Sequence, residues 1–97
     1  MSRPLNTEEI TQACVRLDGW NCAENALTKT FKFGSFREAL SFMVRAGFEA
    51  EELNHHPEWT NIFNRVIVKL TTHDAGDKVT EKDVALAERL EKISWVE

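Results

Sequence analysis

The sequence predicts an α+β fold: a four-stranded antiparallel sheet with three helices packed on one face, in the order α-β-β-α-β-β-α. Three observations predict it. Apolar residues recur at helical spacing in three separate stretches, each opened by a capping residue. Between those stretches lie paired short runs, the better ones alternating strictly between apolar and polar, which argues for an antiparallel sheet with one covered face. The connections are short throughout, and no linker, repeat or low-complexity tract divides the chain, so helices and strands belong to one layered unit.

Asn6 or Thr7 caps the first predicted helix, with Glu8 and Glu9 near its positive end. Ile10, Ala13, Cys14 and Leu17 then fall at i, i+3, i+4 and i+7, and Gly19 stands where a C-terminal cap belongs. Trp20 to Glu24 reads as a short mixed strand and Asn25-Ala26 as a turn. Leu27 to Phe33 alternates, with Phe31 and Phe33 on one face and Thr28, Thr30 and Lys32 on the other. Ser35-Phe36-Arg37-Glu38 fits a capping box and opens the second helix. Ala39, Leu40, Met43, Val44 and Gly47 form its predicted apolar stripe, extended by Phe48. The helix ends near Leu53, because Pro57 disfavours helical backbone at His56. Gly47 inside a helix costs roughly 1 kcal/mol against Ala, so a close contact there, between subunits for example, would account for it.

Trp59 to Phe63 and Val66 to Thr72 form the next strand pair, joined around Asn64-Arg65. Val66, Val68 and Leu70 share one face; Ile67, Lys69, Thr71 and His73 share the other. Asp74-Ala75-Gly76-Asp77 is turn chemistry, and Thr80-x-x-Asp83 opens a last helix carrying Val84, Ala87 and Leu90, with Leu86 and Ile93 less neatly aligned.

A chain of 97 residues is expected to form a single domain over residues 1–97 and to bury roughly 60–65% of its unfolded surface, so a share of stability is expected from oligomerisation. The net charge of −4, with no Lys/Arg cluster, argues against direct nucleic-acid binding. No apolar run approaches the roughly 20 residues that span a bilayer, and the first residues do not resemble a signal peptide. Cys14 and Cys22 lack CxxC spacing and are expected to be reduced thiols in a cytoplasmic protein.

All three histidines, His55, His56 and His73, fall between Glu51 and Asp74. Three readings stand. They can be surface or capping residues. They can hold a metal ion, since three imidazoles leave zinc an open position; but adjacent histidines on extended backbone point to opposite sides and chelate one ion poorly. They can also move protons, because imidazole titrates near neutral pH and serves as acid and as base. The end of one strand lies beside the start of its antiparallel neighbour, so the three rings can converge at one rim of the sheet. Glu51 stands four residues before His55 and, on a continuing helix, shares its face. Trp59 offers an aromatic surface for a flat ligand, or a core side chain. There is no activated serine or cysteine arrangement and no Gly-rich phosphate loop.

The run Glu51-x-x-Asn54-His55-His56-Pro57-Glu58-Trp59, followed by Asn61-x-x-Asn64-x-Val66-x-Val68-x-Leu70-Thr71-Thr72-His73-Asp74, resembles the signature of the pterin-4a-carbinolamine dehydratase (4a-hydroxytetrahydrobiopterin dehydratase) family. The likeness spans about residues 5 to 94. It implies a cofactor-free dehydration of a 4a-hydroxylated reduced pterin, left by aromatic amino-acid hydroxylases, to quinonoid dihydropterin. It implies that His55, His56 and His73 are the active-site histidines, with no metal. It implies that Glu51, Asn54, Trp59, Thr71, Thr72 and Asp74 line or flank the pterin. It also implies a homodimer or homotetramer. Animal relatives add a second role, as dimerisation cofactors of a homeodomain transcription factor through the helix that here spans about residues 35–53. Three positions depart from the family pattern. Asn54 stands where Asp is common, removing a charge beside the histidine pair; Phe63 stands where Tyr is frequent; and Gly76-Asp77-Lys78 replaces a commoner Gly-Gly pair.

Overall fold

Four antiparallel strands build the sheet: β1 (Asn21–Cys22), β2 (Leu27–Lys32), β3 (Glu58–Ile62) and β4 (Arg65–Leu70), in the spatial order β1-β2-β4-β3. Three helices complete the chain, α1 (Thr7–Arg16), α2 (Phe36–Leu53) and α3 (Glu81–Glu91), with a 3-10 turn at His73–Ala75. The computed structural model describes residues 3–93. The predicted order and fold class are those observed, with helices against one face of the sheet.

β4 is the central element because it alternates most strictly. Val66, Val68 and Leu70 have no solvent contact, while Arg65, Ile67 and Lys69 between them are exposed. Its partners are Leu27 to Lys32 on one side and Glu58 to Ile62 on the other, with Leu27 opposite Leu70 and Trp59 opposite Val68. The tight β3–β4 hairpin turns at Phe63 and Asn64, where Phe63 adopts φ 52. Positive φ at the first turn position suits the twist of the paired strands. Asn61 Nδ2 braces this turn by donating to the Phe63 and Arg65 carbonyls at 3.1 and 2.9 Å. Phe63 itself is exposed.

The helices begin where their caps predict. Asn6 and Glu9 form a reciprocal capping box on α1, Ser35 Oγ accepts from the Glu38 amide, and Thr80 and Asp83 form a second capping box on α3. The face that α2 buries, however, corrects the sequence reading. Ala39, Phe42, Ala46 and Ala50 meet the sheet, whereas the predicted stripe members Leu40, Val44 and Phe48 are exposed, together with Phe36. Three alanines bring the helix axis close to the sheet, and the one large residue on that face, Phe42, fills the space against Phe31 and Phe33 at ring separations of 4.6 and 5.1 Å. Shape complementarity with the sheet outweighs side-chain hydrophobicity here. Gly47 has open space around the position of a Cβ, so no close contact within the chain explains it.

A second correction concerns the cysteines. Cys14 of α1 and Cys22 of β1 form a disulfide, with Cα atoms 6.1 Å apart, rather than two free thiols. The turn at Gly19, φ 85, folds the short edge strand back along α1 and brings the two side chains together. Nearby, buried Trp20 donates from Nε1 to Glu91 at 3.0 Å, and Lys29 reaches the same carboxylate at 2.7 Å, tying this corner to α3. Arg89 of α3 bonds Glu49 and Glu52 of α2, each at 2.7 Å, fixing those two helices side by side.

Candidate active site

Three chain segments meet at one rim of the sheet. The first is the end of α2. Asn54 takes the left-handed conformation, φ 52, and the His55 amide closes back onto the Ala50 carbonyl at 3.0 Å, the wide loop of a Schellman motif. Asn enters this backbone region more readily than most side chains, a local reason for its presence there. The reversal ends the helix one residue before the histidine pair and aims His55 and His56 in different directions. His55 turns inward, its side chain 11% exposed, and His56 turns outward, 59% exposed.

The second segment is the exit from β4. The strand ends at Leu70; Thr72 forms a single bridge with Lys78, and His73 begins the 3-10 turn instead of continuing the strand. His73 is almost fully exposed, and its Nδ1 lies 3.1 Å from Asp77. The third segment is the start of α3, which brings Lys82 and Asp83 against the rim. A cavity of about 420 Å³ lies between the three segments. Asn54, His55 and His56 line it from the first, Thr71, Thr72, His73 and Asp74 from the second, and Lys82 from the third.

Seven of the nine sequence-predicted residues therefore surround one cavity. The other two are placed differently. Glu51 is outside the lining and bonds His56, at 2.9 Å, not His55 as its helical spacing suggested. The left-handed turn at Asn54 removes His55 from the helix face that Glu51 occupies. Trp59 is half-buried against the core cluster on β3, away from the cavity lining.

Two residues were missed by sequence reasoning. Asp83 is the more consequential, a carboxylate with no solvent contact. Its Oδ1 is 2.6 Å from His55 Nε2; its Oδ2 accepts from Thr72 Oγ1 at 2.7 Å and from the Thr80 amide at 2.9 Å. The hydrogens can be assigned by counting. Thr72 has one hydroxyl proton, given to Asp83, so the Thr80 hydroxyl, 2.7 Å away, donates to Thr72, and Thr80 Oγ1 accepts from the Lys82 amide at 3.2 Å. Oδ2 thus takes two donors, and Oδ1 faces His55 Nε2, which donates to it in the tautomer that carries the ring hydrogen there. In that tautomer Nδ1 is the ring nitrogen with a lone pair to offer. The sequence signal for Asp83 was its capping-box position: one oxygen caps the helix, and the other remains for a partner across the fold.

Lys82 is the second, with no motif to mark it. Among the side chains already named, Thr71 has a distinct state. Its hydroxyl is buried without a hydrogen-bond partner, while the residue lines the cavity. Such a group is rare in folded proteins and suits a ligand that supplies the missing bond. Each imidazole thus has its own carboxylate, His55 with Asp83, His56 with Glu51 and His73 with Asp77. Among the described residues, no group of three or more His, Cys, Asp or Glu side chains is arranged around a common metal position.

Comparison with known proteins identifies the family. A model of the family described as pterin 4 alpha carbinolamine dehydratase matches residues 3–93. A relative from Opitutus terrae, provisionally named a pterin-4-alpha-carbinolamine dehydratase, is 64% identical over 92 residues, covering 95% of each chain. Another, from Rhizobium johnstonii and named in the same provisional way, is 54% identical over 90 residues, covering 91% of this chain and 88% of the relative. The crystal structure of a transcriptional coactivator/pterin dehydratase from Brucella melitensis matches the fold with a TM-score of 0.87 at 42% identity, over 92% of this chain and 96% of that one. With a family model matching residues 3–93 and near full-length relatives up to 64% identical, this chain belongs to the pterin 4 alpha carbinolamine dehydratase family.

Proposed function

We propose that this chain dehydrates 4a-hydroxytetrahydrobiopterin, the pterin-4a-carbinolamine, to quinonoid dihydropterin and water, as one step of tetrahydrobiopterin recycling in the cytoplasm. The observation that carries the proposal is the juxtaposition of three separately partnered imidazoles around one cavity, with the most buried of them held by Asp83. The reaction breaks the bond from C4a to its hydroxyl oxygen, removes the N5 proton and forms a C4a–N5 double bond. One group must donate a proton to the departing hydroxyl and another must accept one from N5. His55, with Nε2–H committed to Asp83, offers Nδ1 as the base toward N5. His73, on the exposed side of the cavity, serves as the acid toward the hydroxyl, and His56 binds and orients the ring. Thr71 supplies a hydrogen bond to the bound pterin, with Asn54, Thr72 and Asp74 around it and Glu51 steadying His56. Trp59 supports this rim from the core side. All of these steps are proton movements.

Each such transfer contributes typically about 10²–10⁴ in rate. Ultraviolet monitoring of chemically generated 4a-hydroxytetrahydropterin is expected to show losses in that range for both His55→Ala and His73→Ala. Wild-type rates in both variants would remove the proposed site.

A second reading has its own support, the exposed apolar stripe Phe36, Leu40, Val44 and Phe48 on α2. An unpartnered stripe of large apolar side chains marks an association surface. Self-association into a homodimer or homotetramer is the role we assign to it. A transcription-regulator partner on the same helix is the alternative, and the Brucella melitensis neighbour carries a coactivator description. A pull-down that recovers no other protein, from a chain that turns over pterin, would leave that alternative without support. No direct contact with nucleic acid or membrane forms part of either reading; no helix among the described residues is long and apolar enough to cross a bilayer.

A further inference from the structure

A second cavity, of about 280 Å³, adjoins the first. Its lining is Leu53, His55, Glu81, Lys82 and Ala85, and two of these, His55 and Lys82, also line the histidine cavity. His55 therefore lines two spaces of different character. On one side are hydroxyls, imidazoles and an amide. On the other are the half-buried aliphatic side chains of Leu53 and Ala85, with one acidic and one basic residue, Glu81 and Lys82, whose charges offset each other.

The covalent structure of the substrate relates these two spaces. In a reduced pterin, N5 is bonded directly to C6, the carbon that bears the variable substituent. A base within hydrogen-bond reach of N5 is consequently beside whatever is attached to C6. With His55 serving N5, the C6 substituent leaves the ring next to His55. The space that shares both His55 and Lys82 with the ring site is the cavity lined by Leu53 and Ala85. We propose that this second cavity is the subsite for the C6 substituent, and that it selects short, uncharged alkyl or hydroxyalkyl groups. Its aliphatic lining favours a short alkyl stem, and its balanced charge gives an anionic tail no net attraction. The proposal rests on the dehydratase reading and adds to it which part of the substrate lies on which side of His55.

The test compares three carbinolamines, unsubstituted at C6, bearing 6-methyl, and bearing 6-dihydroxypropyl, on the full chain and on Ala85→Leu. Filling the cavity from Ala85 is expected to lower the ratio of kcat/KM for the substituted over the unsubstituted substrate by about tenfold, the scale on which an apolar pocket discriminates by a methylene or two. Ala85→Val, which adds less volume, is expected to shift the ratio in the same direction by less, and it serves where the leucine variant does not fold. An unchanged ratio in a folded variant would overturn the subsite while leaving the dehydratase reading intact. A wild-type chain that turns over none of the three would overturn both.

Discussion

Asp83 makes three hydrogen bonds while fully buried, and its two oxygens serve different ends. Oδ2 caps α3 and takes the Thr72 hydroxyl; Oδ1 holds the His55 ring. Asp83→Asn keeps the shape but replaces an acceptor with a donor, which faces the Nε2–H of His55 or one of the donors on the other side. One hydrogen bond must then be lost or the imidazole must change tautomer, and a buried unsatisfied group costs roughly 1–3 kcal/mol. The expected result is a lower melting temperature together with a fall in kcat of roughly 10²-fold, KM changing less. A variant that loses stability but keeps kcat would restrict Asp83 to capping. The N-terminus of α1 gives a pH test at the same scale. The Glu9 carboxyl is held at about 2, well under its ordinary 4.5, first by the Arg3 guanidinium and then by the Asn6 amide. A depressed folded pKa means its stabilisation is complete above pH 4.5 and is lost as pH falls from there through about 2. Melting curves of Glu9→Gln are expected to lose part of the acid-side slope seen in the wild type; parallel curves would show that the Arg3 contact contributes nothing in solution.

At the scale of elements, β1 is the weakest: it has only two residues, Asn21 and Cys22, and pairs with β2 alone. The disulfide from Cys14 compensates by tying it to α1. Closing a loop with a sequence separation of 8 is worth roughly 2–3 kcal/mol by the chain-entropy argument. Reduction, or Cys14→Ser with Cys22→Ser, is therefore expected to lower the denaturant midpoint and leave the turnover rate of the remaining folded protein unchanged, since neither cysteine lines the histidine cavity. Equal midpoints with and without reductant would count against the tie. Helix α2 shows why an element can be correctly located and yet misoriented. Its boundaries followed from Ser35 and Pro57, both local signals. Its buried face depended on which of its apolar stripes fits the sheet, and small alanines around Phe42 fit where Leu40 and Phe48 do not.

At the scale of the whole molecule, the sheet is covered on one face and α2 leaves a large apolar stripe unburied. A chain of this size gains stability by sharing such surface. Val44 is near the middle of the stripe and 51% exposed, so Val44→Glu is expected to shift the protein to a smaller species in size-exclusion chromatography with light scattering. An unchanged mass would show that this face is not the one joining subunits.

The order of elements, the caps, the inward face of β4 and the histidine-rich family signature were legible in the sequence, because each depends on residues close in the chain. Capping boxes, strand alternation and the Pro57 stop are short-range signals, and the three histidines fall just after α2 and just after β4. Four things depended on tertiary structure: the face α2 buries, the disulfide, the switch of Glu51 from His55 to His56, and the hold of Asp83 on His55. Periodicity identifies residues that share a face but not the surface that face meets. Asp83 lies 28 positions from His55, and no spacing rule relates a helix cap to a ring across the fold. The sequence by itself thus determined the fold class and which side chains could move protons. The packing of α3 against the rim decided which imidazole is held, and by what, because buried hydrogen bonds must be satisfied by whatever the fold brings within reach.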